Sequence, residues 1–146
     1  GREVTRRFTL NVDTLLLRTS VKNTTNAPLP VKIWTRPQFP LQNFSDVRLS
    51  FNTIGGGEIA LDAGDFSINW HEQSKRYRGK DMPAEKLVFR LRDTTITNGF
   101  SSEQLDMVHV FNNGGRTERF SVELHCKHVD LQPGETTSFE QTWMVE

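Results

Sequence analysis

Alternation governs this chain. In "TLLLRTSV", Leu15, Leu17, Thr19 and Val21 share one side of an extended backbone, with Leu16, Arg18 and Ser20 on the other. The same period recurs in "VKIWT", with Val31 and Ile33 set against Lys32 and Trp34, and in "VRLSF", with Val47, Leu49 and Phe51 set against Arg48 and Ser50. "FSINW" aligns Phe66, Ile68 and Trp70, and "LVFRL" aligns Leu87, Phe89 and Leu91. "FSVELHC" aligns Phe120, Val122, Leu124 and Cys126 against Ser121, Glu123 and His125; a last run aligns Phe139, Gln141, Trp143 and Val145. Side chains of a strand alternate between its two faces, so each run reads as a strand with one buried and one wet side.

Turn chemistry separates these runs: "NTTNAP" at 23–28, "IGGGE" at 54–58, "NNGG" at 112–115 and "QPGE" at 132–135. In the last, Pro133 and Gly134 stand where a type II turn wants a fixed φ and then a positive one. The best helical candidate is the short "SSEQLDM" at 101–107, where Ser101 or Ser102 could cap a turn. The polar stretch "HEQSKRYRGKDMPAEK" at 71–86 reads as a long surface loop. About eight to ten strands at this spacing predict an all-β antiparallel sandwich, and the 146 residues make one domain, 1–146.

Eighteen basic and eighteen acidic residues cancel, which removes the one-signed field that nucleic acid or an anionic membrane would need. Neither partner is expected. The longest apolar run is "LLL" at 15–17, far short of the roughly 18 residues of a membrane span. Cys126 is the single cysteine, so no intrachain disulfide forms. The chain begins with Gly1 rather than Met, which leaves room for a removed leader or a longer N-terminal part; localisation is open, with a secreted or periplasmic location favoured if a leader was removed. Oligomeric state is left open by these observations.

Three phrases, taken in order, carry a resemblance: "VTRRFTL", then "LLLRTSVKNTTNAPLPVKIWTRPQFPL", and much later "FSVELHCKHVDLQPGETTSFEQTW". A polar turn and "P-x-P-V" feed a Trp-containing strand, and an "L-x-P-G-E" hairpin closes on Phe and Trp. This pattern resembles the C-terminal half of galactose mutarotase-like "supersandwich" domains, which include sugar-associated members and domains appended to polysaccharide-degrading enzymes. The resemblance implies a mutarotase-like half or a shortened supersandwich, with carbohydrate as the partner. Members of that group are considerably longer. Their epimerase chemistry needs a His acid and a Glu base, and no residue here matches that motif, so catalytic roles do not carry over. A weaker similarity, through "L-x-P-G-E-x-x-x-F", is to small bacterial proteinase-inhibitor domains.

Candidate chemistry divides in two. Glu123 and His125 lie two apart on one strand and so share a face; with His109 of "MVHVF" they could form a carboxylate and imidazole cluster able to hold a divalent metal or act as acid and base. The plainer expectation is a solvated sheet face with cross-strand polar pairs. His125 and His128 make no zinc spacing, Cys126 falls on the apolar side as a core residue, and "TIGGGE" lacks the Lys-Ser/Thr of a phosphate loop. No "G-x-S-x-G" elbow organises the Ser, His and Asp residues. No metal or cofactor is expected.

Aromatic residues beside polar donors give the second candidate. Sugars present apolar C–H faces ringed by hydroxyls, which suit an aromatic platform edged by Arg, Gln or Glu. Trp34 stands on the polar side of its strand and is followed by Arg36, Gln38 and Phe39; Trp70 precedes His71, Glu72, Tyr77 and Arg78. Trp70 and Trp143 continue apolar faces and are expected in the core. "NTT" at 23 and "NFS" at 43 are glycosylation sequons, meaningful only in an exported chain. The sequence thus predicts a non-catalytic carbohydrate-associated domain with a shallow site at Trp34, Arg36, Tyr77 and Arg78. The alternatives are a sugar-active enzyme of mutarotase or lyase type using His109, Glu123 and His125, or a protein-interaction or inhibitor domain.

Overall fold

A computed structural model describes residues 1–40, 47–62, 75–112 and 119–146. Expectations for Trp70, His71, Glu72, the Asn43 sequon and most of "NNGG" lie outside these residues. In chain order the strands are β1 (Arg2–Asn11), β2 (Thr14–Asn23), β3 (Leu29–Val31), β4 (Trp34–Thr35), β5 (Gln38–Pro40), β6 (Val47–Asn52) and β7 (Glu58–Asp62). They continue with β8 (Lys75–Tyr77), β9 (Lys86–Leu91), β10 (Thr94–Phe100), β11 (Leu105–Asn112), β12 (Arg119–Cys126), β13 (Val129–Leu131) and β14 (Thr136–Val145).

A seven-stranded sheet in the order β1-β2-β14-β10-β9-β6-β7 packs on a smaller sheet in the order β4-β12-β11-β8, with β5 also pairing β12; β13 and β3 form a third, two-stranded unit. The strand pairings are antiparallel, as the hairpin turns require. "SSEQLDM" is not helical throughout: a single 3-10 turn at Ser102–Gln104 gives way at Leu105 to β11, whose Leu105 and Met107 are buried. Part of the expected long loop is also structured, as β8 and a 3-10 turn at Gly79–Asp81. Among the described residues, no helix is long and apolar enough to cross a membrane.

The core is the alternation made solid. Leu49, Leu87, Phe89 and Phe139 of the larger sheet are buried against Val108, Val110, Phe120, Val122 and Leu124 of the smaller one. Phe89 meets Phe120 edge to face across the interface, with ring centroids 6.4 Å apart and an interplanar angle of 76°. Each such side chain contributes roughly 1.5–3 kcal/mol on leaving water, which drives the two sheets together. Gly134 takes φ +82° and Glu135 N donates to Gln132 O at 3.0 Å, the geometry of a type II turn. Buried Asn23 ties this hairpin to the end of β2 by donating from Nδ2 to Leu131 O at 2.9 Å.

Candidate functional site

The face of the smaller sheet turned away from the core carries the polar candidates. Alternation sends Val108, Val110, Val122 and Leu124 inward, so their neighbours His109, Phe111, Ser121, Glu123 and His125 take the opposite face. Register then decides who meets whom. His109 lies directly across from Glu123, Arg76 of β8 lies across from His109, and Trp34 of β4 lies across from His125. Side chains directly opposite one another in an antiparallel pair share a face and come within contact range.

Glu123 is the hub. Its Oε2 accepts from His125 Nε2 at 2.9 Å and from His109 Nδ1 at 3.3 Å, while Arg36 Nε approaches Oε1 at 3.6 Å. Burial of the carboxylate is matched by these partners, as a buried charge requires. Because the carboxylate accepts, it selects the tautomer of each imidazole, leaving His109 Nε2 and His125 Nδ1 as the basic nitrogens. Burial holds the His109 pKa below its ordinary value, with Arg76 and His125 adding to the depression and Glu123 opposing it. His109 Nε2 and Ser121 Oγ are buried without a hydrogen-bond partner. His109, Glu123 and His125 offer ligand atoms within 4.8 Å of one another, so the same trio has the donor set and the span to hold a cation.

Trp34 caps this cluster. Its ring stacks on His125 with centroids 5.7 Å apart and planes 19° off parallel, yet the residue stays 51% exposed. Arg36 lies over the Phe111 ring, 4.9 Å from its centroid. Both Trp34 and Arg36 also line a cleft of about 560 Å³ between the edge of the smaller sheet and the overhanging strands β1, β2 and β14, where they face Arg6, Phe8, Gln141 and Trp143. Trp143 serves two purposes, stacking on Phe89 in the core at 6.4 Å and walling the cleft.

The sequence candidates therefore fall into separate places. Trp34, Arg36, His109, Glu123 and His125 come together. Tyr77 does not join them: it pairs with Val108, turns to the inter-sheet side and meets Phe51 edge to face at 5.2 Å. Burial pushes its phenol up to about 12. Arg78 binds Asp106 at 3.3 Å, and Lys32 binds the same carboxylate at 3.1 Å; the Lys32 hydrogen bond, with Arg78 beside it, holds the Asp106 pKa below its usual value. Arg6, Phe8, Arg76, Phe111 and Gln141 were not among the candidates. Gln141 had a readable signal, a polar side chain in the apolar stripe of its strand. Arg6 interrupts the stripe Val4, Phe8 and Leu10 in the same way.

No protein-family model matches the chain, and no curated protein matches it. Solved structures do. A galactose mutarotase-like protein from Lactobacillus casei superposes with a TM-score of 0.75 at 11% identity, over 99% of this chain and 63% of its own. A putative aldose 1-epimerase from Escherichia coli gives 0.71 at 17% identity, over 99% and 60%. A galactose mutarotase-related enzyme from Lactobacillus acidophilus gives 0.71 at 13% identity, over 99% and 61%. The chain has the galactose mutarotase-like β-sandwich fold and spans about 60% of the length of these structures.

Proposed function

We propose that the chain is a non-catalytic carbohydrate-binding domain whose site is the cleft edged by Trp34, Arg36 and Trp143. One observation carries this reading: Trp34 is half exposed at the cleft mouth while His125 fixes its ring from beneath by stacking at 5.7 Å. A held aromatic face offers the apolar side of a pyranose a partner at little entropic cost, and Arg36 supplies a polar group for its hydroxyl rim. The fold it shares with proteins described as mutarotases and aldose epimerases supports a sugar as the ligand class. A shallow site of this kind binds in the roughly millimolar to micromolar range. The test is a glycan array followed by calorimetry on the hits. Binding that falls about tenfold or more in Trp34→Ala upholds the reading; an array and calorimetry without binding, or binding indifferent to Trp34→Ala, defeats it.

The convergence of His109 and His125 on Glu123, at 3.3 and 2.9 Å, favours a second reading, acid–base chemistry on a sugar. His125 would take a hydroxyl proton at Nδ1 and return it to the ring oxygen, with the carboxylate, itself held by His109, orienting the imidazole. Magnetisation-exchange NMR of aldose anomers tests it. A chain that speeds interconversion over buffer, and loses the effect in Glu123→Gln, is an enzyme; a chain that binds without such an effect is a binding domain.

A further inference from the structure

Strand β1 is an open edge. All ten of its residues, "REVTRRFTLN", are exposed; it pairs with β2 on one side, and no strand pairs with its other side among the described residues. Strands usually run about 5–6 residues and exposed edges are commonly blunted by proline, bulges or charge, because unpaired backbone groups invite another strand. This edge has no proline, no glycine and an unbroken register with β2. Charge is therefore the device left to control its pairing.

That charge pattern is self-complementary in one register. On the outer face of β1, Arg7 stands opposite Arg18, a like charge, and Arg18 stands opposite Glu140. Glu3 stands opposite Lys22. Only an antiparallel pairing centred on Thr5 sets Glu3 of one copy against an arginine of another while keeping the two sheets' faces aligned. Centring on Val4 would oppose Arg2 to Arg6, and centring on Arg6 or Arg7 would oppose each to itself. Like charges directly opposite destabilise a sheet, and opposite charges stabilise it.

We propose that two copies of the chain pair antiparallel through β1 about a two-fold axis at Thr5, joining their larger sheets into one. The outer face then holds two Glu3–Arg7 pairs around a Thr5–Thr5 contact, and each Arg7, crowded by Arg18 in its own sheet, gains a carboxylate. On the inner face Phe8, which is 63% exposed, meets the partner's Arg2 as a cation–π pair, and Val4 is covered by the aliphatic stem of the partner's Arg6. The axis is perpendicular to the sheet, so both Trp34 clefts open on the same side, flanking the seam.

Analytical ultracentrifugation of the chain through the micromolar range tests the pairing, and a dimer is expected. Glu3→Arg and Arg7→Glu each weaken it by roughly 10- to 100-fold, because each places like charges in both pairs. The double variant Glu3→Arg/Arg7→Glu recovers the dimer, and so does an equimolar mixture of the two single variants. Independently, Thr5→Cys crosslinks to itself under mild oxidation, while Arg7→Cys crosslinks only when mixed with Glu3→Cys. A monomeric wild type, a dimer untouched by charge reversal, or reversal without rescue overturns the proposal.

Discussion

Trp34 stacks on His125 across the β4–β12 pair, and the contact joins the exposed aromatic to the buried Glu123 behind it. An exposed ring thus inherits its orientation from a carboxylate it does not touch. That coupling makes the site separable by mutation into a surface that binds and a cluster that supports it.

Removing Trp34 tests the surface. Trp34→Ala removes a half-exposed side chain at a sheet edge, so its stability cost stays within about 0.5–1 kcal/mol in urea titration. Glycan affinity, read by calorimetry, drops by about 1.4 kcal/mol or more, about tenfold or more. His125→Ala leaves the ring in place without its support and loses part of the same affinity.

Removing Glu123 tests the cluster. Glu123→Ala leaves Arg36, His109 and His125 without their shared acceptor and costs about 2–3 kcal/mol of stability. Glu123→Gln keeps an oxygen that can accept from one imidazole and costs about 1 kcal/mol. Chemical denaturation of both variants, with equal m-values, gives the comparison.

Acidity acts through His109. Its folded pKa lies below the ordinary 6.5, because burial disfavours the cation, so the unfolded chain binds a proton more readily. Stability is therefore highest above about pH 6.5, declines as the pH falls below it, and levels off once folded His109 itself protonates. Denaturant midpoints measured from neutral pH downward show this decline, and His109→Asn flattens it.

Cys126 is buried on the core side of β12, and burial raises its thiol to about 12. Only the thiolate reacts, so the folded chain resists alkylation at mildly basic pH. Labelling becomes complete on adding denaturant, with an onset that tracks the unfolding transition.

The core sets the overall scale. Phe89 is fully buried and contacts Phe120 across the sheets and Trp143 within its own. Phe89→Ala costs about 3–5 kcal/mol, since neighbouring strands cannot close the void. The same variant also loosens Trp143 at the cleft wall, so glycan affinity falls along with the melting temperature.

Much of this architecture is local and so could be read from residue order. Alternation in "FSVELHC" places Cys126 in the core and Glu123 with His125 on the other face, because neighbouring side chains of any strand must diverge. Pro133 and Gly134 mark their turn because only certain backbone angles suit those residues. The tertiary structure alone decided that β11 pairs with β12 so that His109 meets Glu123, and that β4 lies against β12 so that Trp34 meets His125. It alone turned Tyr77 toward Phe51, since the register of β8 sets it beside Val108. It also placed β1, β2 and β14 beyond the edge of the smaller sheet, opening the cleft. Registers between distant strands follow from how whole apolar faces pack, and a period of two is the same for every register that keeps those faces inward.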